Sequence, residues 1–309
     1  MRHTILGAGG SIGNALTYEL LKTKENVRLV SRSSFSIPGT EAFKADISSY
    51  EETLNSVKDT DIVYLCAGLQ YDVSVWSVMW PKIMQNTIDA CKSVGAKLIF
   101  FDNVYMYGKV EGKMTETTPY NPCSKKGEIR AQIATLLEDE IKNKNINAII
   151  ARAADLYGPY ATKTSVPYIL VFDKLMHNKR AQWTVDVHKT HSFSYTIDCA
   201  KGLQLLANKN EAFNQIWHLP TYNPAPDGKT FIEMAAKEIG VPAKYMILKK
   251  WMVRMAGLFD HTVFELYEML YQNEFDYYFD SSKFNEYFAY NPVTYQKGIQ
   301  ETIVSIKKI

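Results

Sequence analysis

Cysteine is scarce in this chain and is never clustered. Among 309 residues the only cysteines are Cys66, Cys91, Cys123 and Cys199, and no two of them form a C-x-x-C pair. A disulfide scaffold needs paired cysteines, and a cysteine zinc site needs them at ligand spacing. We therefore expect reduced thiols and neither disulfide nor zinc. His188 and His191 lie three residues apart, but no further ligand cluster accompanies them, so we expect no bound metal.

The chain also lacks an excess of either charge and any long apolar run. It has 35 Lys and Arg against 33 Asp and Glu, a formal net charge of +2. This balance argues against a nucleic-acid or membrane partner, and no segment approaches the roughly 20 apolar residues of a membrane span. We expect a cytoplasmic protein, because the first motif begins too close to Met1 for a signal peptide to precede it.

Glycine is not abundant, yet four of the 16 glycines lie within residues 7–13. The residues just before them, Thr4 to Leu6, are apolar or β-branched, and apolar residues from Ile12 to Leu21 recur at helical spacing. The glycines are therefore expected at a turn between a strand and a helix.

This turn has the composition of a dinucleotide-binding turn. Gly7 would supply the tight turn, Gly10 the close approach of the backbone to a pyrophosphate, and Gly13 the close packing of the helix on the strand. Ser11 and Ile12 begin the helix, whose unpaired N–H groups would face the phosphates. An ordinary glycine loop is the alternative, but the strand–turn–helix context favours a dinucleotide.

The end of the next strand, residues 27–30, bears on the choice of dinucleotide. It is followed by Ser31, Arg32 and Ser33. An acidic residue there would suit the ribose 2′-hydroxyl of NAD, whereas an arginine flanked by hydroxyls suits the 2′-phosphate of NADP. We predict NADP, with NAD as the alternative if Arg32 is only a solvated surface charge.

Two further strand ends complete the predicted cofactor site. Residues 41–47 have the pattern of a short strand whose end, Asp46 and Ile47, would lie beside the adenine. Residues 61–68 form a nearly continuous apolar strand, as expected in a parallel sheet buried on both faces. Its end, Ala67 and Gly68, would face the cofactor.

Strands and helices alternate through the first half of the chain. Helices are predicted at 80–94, opened by Pro81, and at 125–143, and strands at 96–101 and 146–151. The pattern predicts an α/β fold, a Rossmann-type doubly wound parallel sheet with a smaller C-terminal α+β substrate lobe.

The predicted domain boundaries follow the loss of this alternation. The cofactor domain comprises residues 1–155 and about 192–218, and the substrate lobe 156–191 and 219–309. Within that lobe, residues 251–288 are aromatic and acidic, and we expect a packed helix with a solvated face.

Three motifs extend the pattern beyond the glycine turn. Residues 101–108 read F-D-N-V-Y-M-Y-G, residues 152–159 read R-A-A-D-L-Y-G-P, and residues 191–200 read H-S-F-S-Y-T-I-D-C-A. With the glycine turn they resemble the extended short-chain dehydrogenase/reductase superfamily, in its NAD(P)-dependent epimerase/dehydratase group, over nearly the whole chain. The family expectation includes a homodimer formed through the helices near 81–94 and 125–143.

The resemblance breaks at the catalytic set, which in the superfamily is a Ser or Thr followed by Tyr-x-x-x-Lys on a helix. Alignment of the motifs puts Asn103 at the Ser/Thr position, Lys126 at the tyrosine and Arg130 at the lysine. The resemblance implies that Asn103 orients a substrate oxygen, that Arg130 binds ribose hydroxyls, and that Lys126 is the general acid, with a pKa lowered by burial beside Arg130. Alternatively, Lys126 and Arg130 are phosphate or water contacts on an exposed helix face.

The substrate positions depart from the family as well. Asp155 replaces an Asn, and His191 replaces an Arg that grips the diphosphate in nucleotide-sugar enzymes, so a nucleotide-diphosphate sugar is disfavoured. His191 would instead be a hydrogen-bond donor, an acid or a structural histidine. Tyr105 is a further candidate for proton donation or stacking on the substrate, with core packing as the alternative.

These substitutions are typical of the superfamily's atypical members. We predict an NAD(P)-dependent oxidoreductase or isomerase that resembles sugar epimerases, dehydratases and reductases and acts on a small molecule such as a sugar derivative. The alternative is a non-catalytic NADP(H)-binding regulator or sensor, which the altered catalytic set favours.

Overall fold

The computed structural model describes residues 1–33, 35–161 and 165–307. The strands are β1 (Arg2–Leu6), β2 (Asn26–Ser31), β3 (Glu41–Lys44), β4 (Ile62–Leu65), β5 (Lys97–Asp102), β6 (Lys113–Met114), β7 (Ala148–Arg152), β8 (Asp155–Tyr157), β9 (Ala181–Thr184), β10 (Phe193–Tyr195), β11 (Gln215–His218), β12 (Tyr245–Leu248) and β13 (Tyr278–Phe279). The α-helices are α1 (Ser11–Lys22), α2 (Tyr50–Ser56), α3 (Val73–Val94), α4 (Lys125–Lys142), α5 (Asp173–Met176), α6 (Thr196–Ala207), α7 (Gly228–Ile239), α8 (Lys250–Ala256), α9 (His261–Tyr267), α10 (Ser282–Tyr287) and α11 (Tyr295–Ile306).

Seven parallel strands form the central sheet, in the order β11-β7-β5-β4-β1-β2-β3. The chain moves outward from β1 to β2 and β3, and then returns to add β4 on the other side of β1. This reversal places a topological switch point at the carboxyl ends of β1 and β4, where open α/β sheets bind their ligands. The Rossmann-type doubly wound sheet is confirmed.

Both faces of the sheet are buried under helices. Alternate residues of β4 show this directly, since Tyr64 packs in one cluster with α1 and α6, while Val63 packs in another with α3 and α4. Because every β4 side chain enters a core, its sequence is continuously apolar rather than alternating.

A second core lies outside the central sheet. It is built around Phe231 of α7, Trp183 of β9, Tyr157 of β8 and Tyr295 of α11, all buried. Short parallel pairs, β8 with β10 and β9 with β12, accompany these helices. Mixed short strands and helices are what the sequence predicted for this part of the chain, although the domain boundaries stay a prediction.

Two predicted helices differ from the structure. α3 begins at Val73 rather than near Trp80, because the Asp72 carboxylate accepts hydrogen bonds from the N–H groups of Ser74 and Val75 and so caps an earlier start. Pro81 consequently lies inside the helix instead of at its first turn.

Residues 251–288 are likewise not one helix. They form α8, α9, a 3₁₀ segment (Leu270–Asn273), β13 and α10 in succession. The first break follows Ala256, and Asp260 caps the new helix α9 by accepting from the N–H groups of Thr262 and Val263. Within the described ranges, no helix is both long and apolar enough to span a bilayer.

Candidate functional site

The glycine turn occupies the switch point of the sheet. Gly7 has φ +96°, and a Cβ atom there would lie 2.4 Å from the Ala67 Cα, so only glycine fits between the ends of β1 and β4. The N–H groups of Gly7 and Ala8 donate to the carbonyl of Val30, at 3.1 and 3.0 Å, which fixes the turn to the end of β2. A Cβ atom on Gly13 would come within 3.1 Å of the Gly7 carbonyl oxygen, so helix and turn are also in close contact.

The helix that follows the turn presents its N-terminus without a side-chain cap. Gly10 is the N-cap residue of α1, and the first turn, which includes Ser11 and Ile12, contains no acidic residue. The amide N–H groups of such a first turn carry the positive end of the helix dipole. This end of the sheet can therefore bind a phosphate group.

The end of β2 lies beside the segment that follows β3. Ser31 pairs with Lys44, and the N–H of Ala45 donates to the Ser31 carbonyl at 3.1 Å. The pKa of the Asp46 carboxyl is lowered, first by the N–H and hydroxyl of Ser48 and also by the nearby Arg32 guanidinium. Arg32 is exposed and is therefore accessible to a ligand, but its side chain shares this edge with a carboxylate.

The other residues predicted for this site follow the same strand ends. Ser33 accepts a hydrogen bond from the Ser31 hydroxyl through its carbonyl. Ile47 is partly buried against the α3–α4 core, and a Cβ atom on Gly68 would meet open space. The structure thus brings the residues predicted for the cofactor to the carboxyl edge of β1 to β4, although their roles stay predictions.

Asp102, the last residue of β5, holds the two arginines next to this edge. Arg130 of α4 donates from Nε to Asp102 Oδ1 at 2.8 Å and from Nη2 to the same oxygen, and it stacks over Trp80 at 4.4 Å. Arg152 of β7 places its Nε 3.7 Å from Asp102 Oδ2. All these side chains are buried, so the Arg130 guanidinium is part of the protein interior rather than of an exposed helix face.

The hydrogen bonds continue from Arg152 to the C-terminal part of the chain. Its Nη1 donates to the Tyr107 hydroxyl at 2.7 Å, that hydroxyl donates to His218 Nε2 at 2.8 Å, and His218 Nδ1 donates to the Asp280 carbonyl at 2.7 Å. Burial lowers the pKa of His218 to about 3, which keeps the imidazole neutral and able to accept from Tyr107.

Asn103 follows Asp102 and is positioned by its own loop. Its side-chain Oδ1 accepts the N–H of Tyr105 at 3.0 Å, and its own N–H donates to Asp102 Oδ1 at 2.8 Å. The side-chain amide oxygen is therefore occupied locally. The amide NH₂ group is the end available to orient a substrate oxygen.

Lys126 is fully buried and is surrounded by carboxylates. Its Nζ donates to Glu268 Oε1 at 2.9 Å, to the Glu265 carbonyl at 3.0 Å and to the Glu265 carboxylate, and it lies over the Tyr71 ring at 4.5 Å. The burial predicted for Lys126 is present, but the predicted like-charge pair is not, because Arg130 is bound to Asp102. The charged neighbours of this ammonium group are Glu265 of α9 and Glu268 just after it, rather than Arg130.

Glu265 and Glu268 are functional-site residues that the sequence analysis missed. The sequence pattern of residues 251–288 instead places both glutamates on a solvated helix face. Lys126 and these glutamates are 139 and 142 residues apart in the sequence, and no local motif connects them. The one available signal was physical, since a buried lysine requires a nearby counter-charge.

Asp155, His191 and Tyr277 form the third part of the site. His191 donates from Nε2 to Asp155 Oδ2 at 2.9 Å and stacks on the Tyr277 ring, with centroids 4.4 Å apart and planes at 8°. His191 Nδ1 and the Tyr277 hydroxyl are buried without a hydrogen-bond partner in the described part of the chain. Both atoms therefore have unused hydrogen-bonding capacity next to Asp155.

Tyr105 lies between these parts. Its ring stacks on Trp76, with centroids 6.4 Å apart and planes at 12°. Burial, with a smaller contribution from the Asp155 carboxylate, raises the pKa of the Tyr105 hydroxyl well above its ordinary value. Tyr105 is therefore a neutral phenol near Asp155 and can act as a hydrogen-bond donor.

One set of side chains has the spacing of a metal site. Ligand atoms of Asp72, His261 and Glu265 lie within 4.8 Å of one another. The Glu265 carboxylate, however, already binds the Lys126 ammonium group, and His261 Nε2 donates to Asp72 at 2.8 Å. A cation placed there would face the Lys126 charge, so the geometry favours an ion-pair network.

The buried pair predicts a large effect of one substitution. Glu265→Gln leaves the Lys126 ammonium with one carboxylate, that of Glu268, in a buried site. We expect a loss of about 1.5–3 kcal/mol in the free energy of unfolding measured by urea denaturation, the contribution of one charged hydrogen bond. Glu128→Gln is the matched control, because it breaks the exposed pair of Glu128 with Lys125 on the same helix and should leave stability nearly unchanged. Equal unfolding midpoints for the two variants would contradict a stabilising role of the Lys126 cluster.

Comparison with known proteins agrees with this architecture. Residues 3–219 match the profile of the family described as "NAD dependent epimerase/dehydratase family". A relative from Bacillus subtilis (strain 168), the uncharacterized UDP-glucose epimerase YtcB, is 22% identical over 238 residues, which cover 68% of this chain and 73% of that protein.

Solved structures share the fold over the whole chain. The UDP-glucose 4-epimerase of Thermus thermophilus, crystallised with NAD, superposes with a TM-score of 0.81 at 16% identity and covers 99% of both chains. The UDP-glucuronic acid 4-epimerase of Bacillus cereus, also with NAD, gives 0.81 at 20% identity over 100% of this chain and 99% of that one. The resemblance read from the motifs is confirmed, and the chain belongs to the NAD dependent epimerase/dehydratase family.

Proposed function

We propose that this protein is an NAD(P)-dependent oxidoreductase or isomerase that acts on a sugar or a sugar derivative. The observation that carries the proposal is the glycine turn at the switch point, where the Gly7 position excludes any side chain and α1 begins without a side-chain cap. A cradle of this kind fits a pyrophosphate. When bound, a nicotinamide dinucleotide would supply hydride exchange with the substrate carbon.

The cofactor we propose is NADP, with NAD as the alternative. Arg32 is exposed at the end of β2, next to the Ser31 and Ser33 backbone, and no described acidic side chain directly follows β2 to accept from a ribose 2′-hydroxyl. A guanidinium can bind a 2′-phosphate through two parallel hydrogen bonds. The solved relatives named above contain NAD, so the preference rests on Arg32 alone.

Three residues on β5 and α4 would serve the reaction. Asn103 would orient the substrate oxygen with its free amide NH₂ group. Arg130 donates to Asp102 through Nε and Nη2, which leaves Nη1 for a ribose hydroxyl. Lys126 carries the ammonium group at the position of the family tyrosine, and it would donate the proton to the substrate oxygen, with Glu265 and Glu268 holding its charge.

The part of the site formed by Asp155, His191 and Tyr277 favours a ligand that does not place a diphosphate there. Asp155 is an acceptor-only carboxylate next to His191, and His191 is stacked and bound rather than extended like an arginine. A diphosphate placed here would face the Asp155 charge. A polar uncharged group, such as a sugar hydroxyl, would instead meet the unpartnered Tyr277 hydroxyl and His191 Nδ1.

A second candidate function is a non-catalytic NADP(H)-binding regulator. The observation that favours it is the enclosure of Lys126, which has no exposed surface and three hydrogen-bond partners on α9 and the residue after it. An enzyme of this kind would have to expose Lys126 to its substrate, whereas a sensor would need only the cofactor cradle.

The cofactor proposal predicts a selective effect of Arg32→Ala. Because hydrogen bonds to a charged group contribute about 1.5–3 kcal/mol, the NADPH dissociation constant should rise about 10- to 100-fold, while that of NADH changes little. Isothermal titration against both dinucleotides measures this. Lys58→Ala, at the opposite edge of the sheet, removes the same charge and should leave both affinities as they are. Equal affinities for the two dinucleotides in the unaltered protein would contradict the NADP assignment.

The proton-donor proposal predicts that Lys126→Arg is inactive but folded. Arginine keeps the positive charge between Glu265 and Glu268, but its guanidinium does not exchange protons near neutral pH. Turnover should fall about 10²- to 10⁴-fold with dinucleotide affinity retained, as measured by NAD(P)H absorbance across a panel of sugars and sugar derivatives.

Lys125→Arg on the exposed neighbouring residue is the control and should keep full turnover. Retained turnover in Lys126→Arg would reject Lys126 as the donor. An unaltered protein that binds NADPH and turns over no compound of the panel would favour the regulator instead.

A further inference from the structure

The hairpin of α8 and α9 exposes large apolar side chains to solvent. Its outer surface, which we call the hairpin face, comprises Trp251, Met255, Leu258, Phe259 and Phe264, with exposed fractions of 64%, 53%, 69%, 89% and 60%. Single exposed apolar residues are ordinary, but a contiguous group of this size marks an interaction site.

The spacing of these residues along the chain shows that they lie on one side of the helix. Trp251, Met255 and Leu258 follow at spacings of four and three, so they lie along one side of α8 and the turn after it, while Val253 lies on the other side and is buried. The hairpin face is thus a regular apolar stripe that points away from the core.

The inner side of α9 is polar. His261, Glu265 and Glu268 lie at positions i, i+4 and i+7, and they bind Asp72, Lys126 and the N-termini of α3 and α4. An ordinary surface helix buries its apolar side and hydrates its charged side. This hairpin has the reverse arrangement, which leaves its apolar side available to a partner.

The charge around the hairpin face indicates which partner. Lys249, Lys250 and Arg254 are exposed beside it, and residues 249–260 contain one acidic residue, the exposed Asp260, whose carboxylate caps α9. Lys250 pairs with Glu274, whereas Lys249 and Arg254 form no ion pair with any residue in the described ranges. Basic side chains next to tryptophan, phenylalanine and leucine are the composition of a segment that lies in a membrane interface.

We propose that the α8–α9 hairpin binds the surface of an anionic membrane. Leu258 and Phe259, the most exposed residues of the face, lie at the turn between the helices and enter between the headgroups, while Trp251 lies at the interface and Lys249 and Arg254 contact anionic headgroups. A projecting tip of this kind suits a deformable lipid surface better than the flat patch of a symmetric dimer.

This inference differs from the expectation of no membrane partner. That expectation used the whole-chain charge of +2, which averages over residues far apart in the fold. In the hairpin, Glu265 and Glu268 are turned inward to Lys126. Lys250 is paired with Glu274, and Asp260 caps α9. The two basic residues without an ion pair in the described ranges, Lys249 and Arg254, therefore leave the hairpin face with a positive local charge.

Vesicle binding by the full chain tests the proposal. Phosphatidylcholine vesicles with about one third phosphatidylserine should co-sediment the protein, and pure phosphatidylcholine vesicles should not. The other four tryptophans, Trp76, Trp80, Trp183 and Trp217, are buried, so a blue shift of tryptophan emission on binding would come from Trp251. Trp251→Phe should remove that shift.

Three further variants separate the contributions. The double variant Leu258→Ser/Phe259→Ser should abolish sedimentation, and Lys249→Gln/Arg254→Gln should lower the partition coefficient about 30-fold, since each basic residue contributes about fivefold near an anionic surface. Val304→Ser is the matched control, because Val304 is 47% exposed on α11, a helix that packs on α7 and β8, and its loss should change nothing.

Two results would overturn the proposal. One is failure to sediment with anionic vesicles, above all if light scattering shows a dimer that Leu258→Ser/Phe259→Ser converts to a monomer, since the hairpin face would then belong to a second copy of the chain. The other is equal binding to neutral and anionic vesicles, which would show that the basic residues do not select the partner.

Discussion

The buried carboxylate of Asp102 is the interaction on which the candidate site depends. It ends β5, accepts two hydrogen bonds from Arg130 of α4 and faces Arg152 of β7, so one negative charge serves two buried guanidinium groups. A buried cation without a partner is far more costly than a paired one. Asp102 and Arg130 therefore depend on each other, and the buried arginine is stable because Asp102 supplies its counter-charge.

The second arginine extends this arrangement across the molecule. Arg152 Nε lies 3.7 Å from Asp102 Oδ2, and neither atom has a hydrogen-bond partner in the described part of the chain. The guanidinium donates instead through Nη1 to the Tyr107 hydroxyl and through Nη2 to the Tyr120 hydroxyl. Through Tyr107 the network reaches His218 at the end of β11 and the backbone of Asp280. Adjacent hydrogen bonds in a low-dielectric interior polarise and so strengthen one another. The position of the C-terminal segment beside the sheet thus depends on a chain of polar contacts that starts at the edge of the candidate site.

Local patterns predicted the first half of the fold well. Each of its main features depends on residues close together in the sequence. The glycine turn reflects a close approach of two backbones, and the continuously apolar strands reflect burial on both faces of the sheet. Arg32 is recognised because it follows the end of β2. The partners of Lys126 could not be predicted in this way, because Glu265 and Glu268 are brought to it only by the tertiary fold. The early start of α3 has a simpler explanation. Pro81 is a common start signal, but the helix begins at the Asp72 cap, nine residues before it.

The inner side of α9 contacts the rest of the chain mainly through charged and polar groups. Its inner residues replace water around Lys126 and around the N–H groups of Val73 and Lys125, so the contact consists of ion pairs and helix caps. Phe264, on the outer side, is 60% exposed and stacks on the His261 ring. Ions that separate can regain hydration, whereas removal of one partner leaves the other buried and unpaired. For the group proposed to transfer a proton, access to substrate therefore requires that α9 move with both glutamates, because Glu265 and Glu268 enclose Lys126.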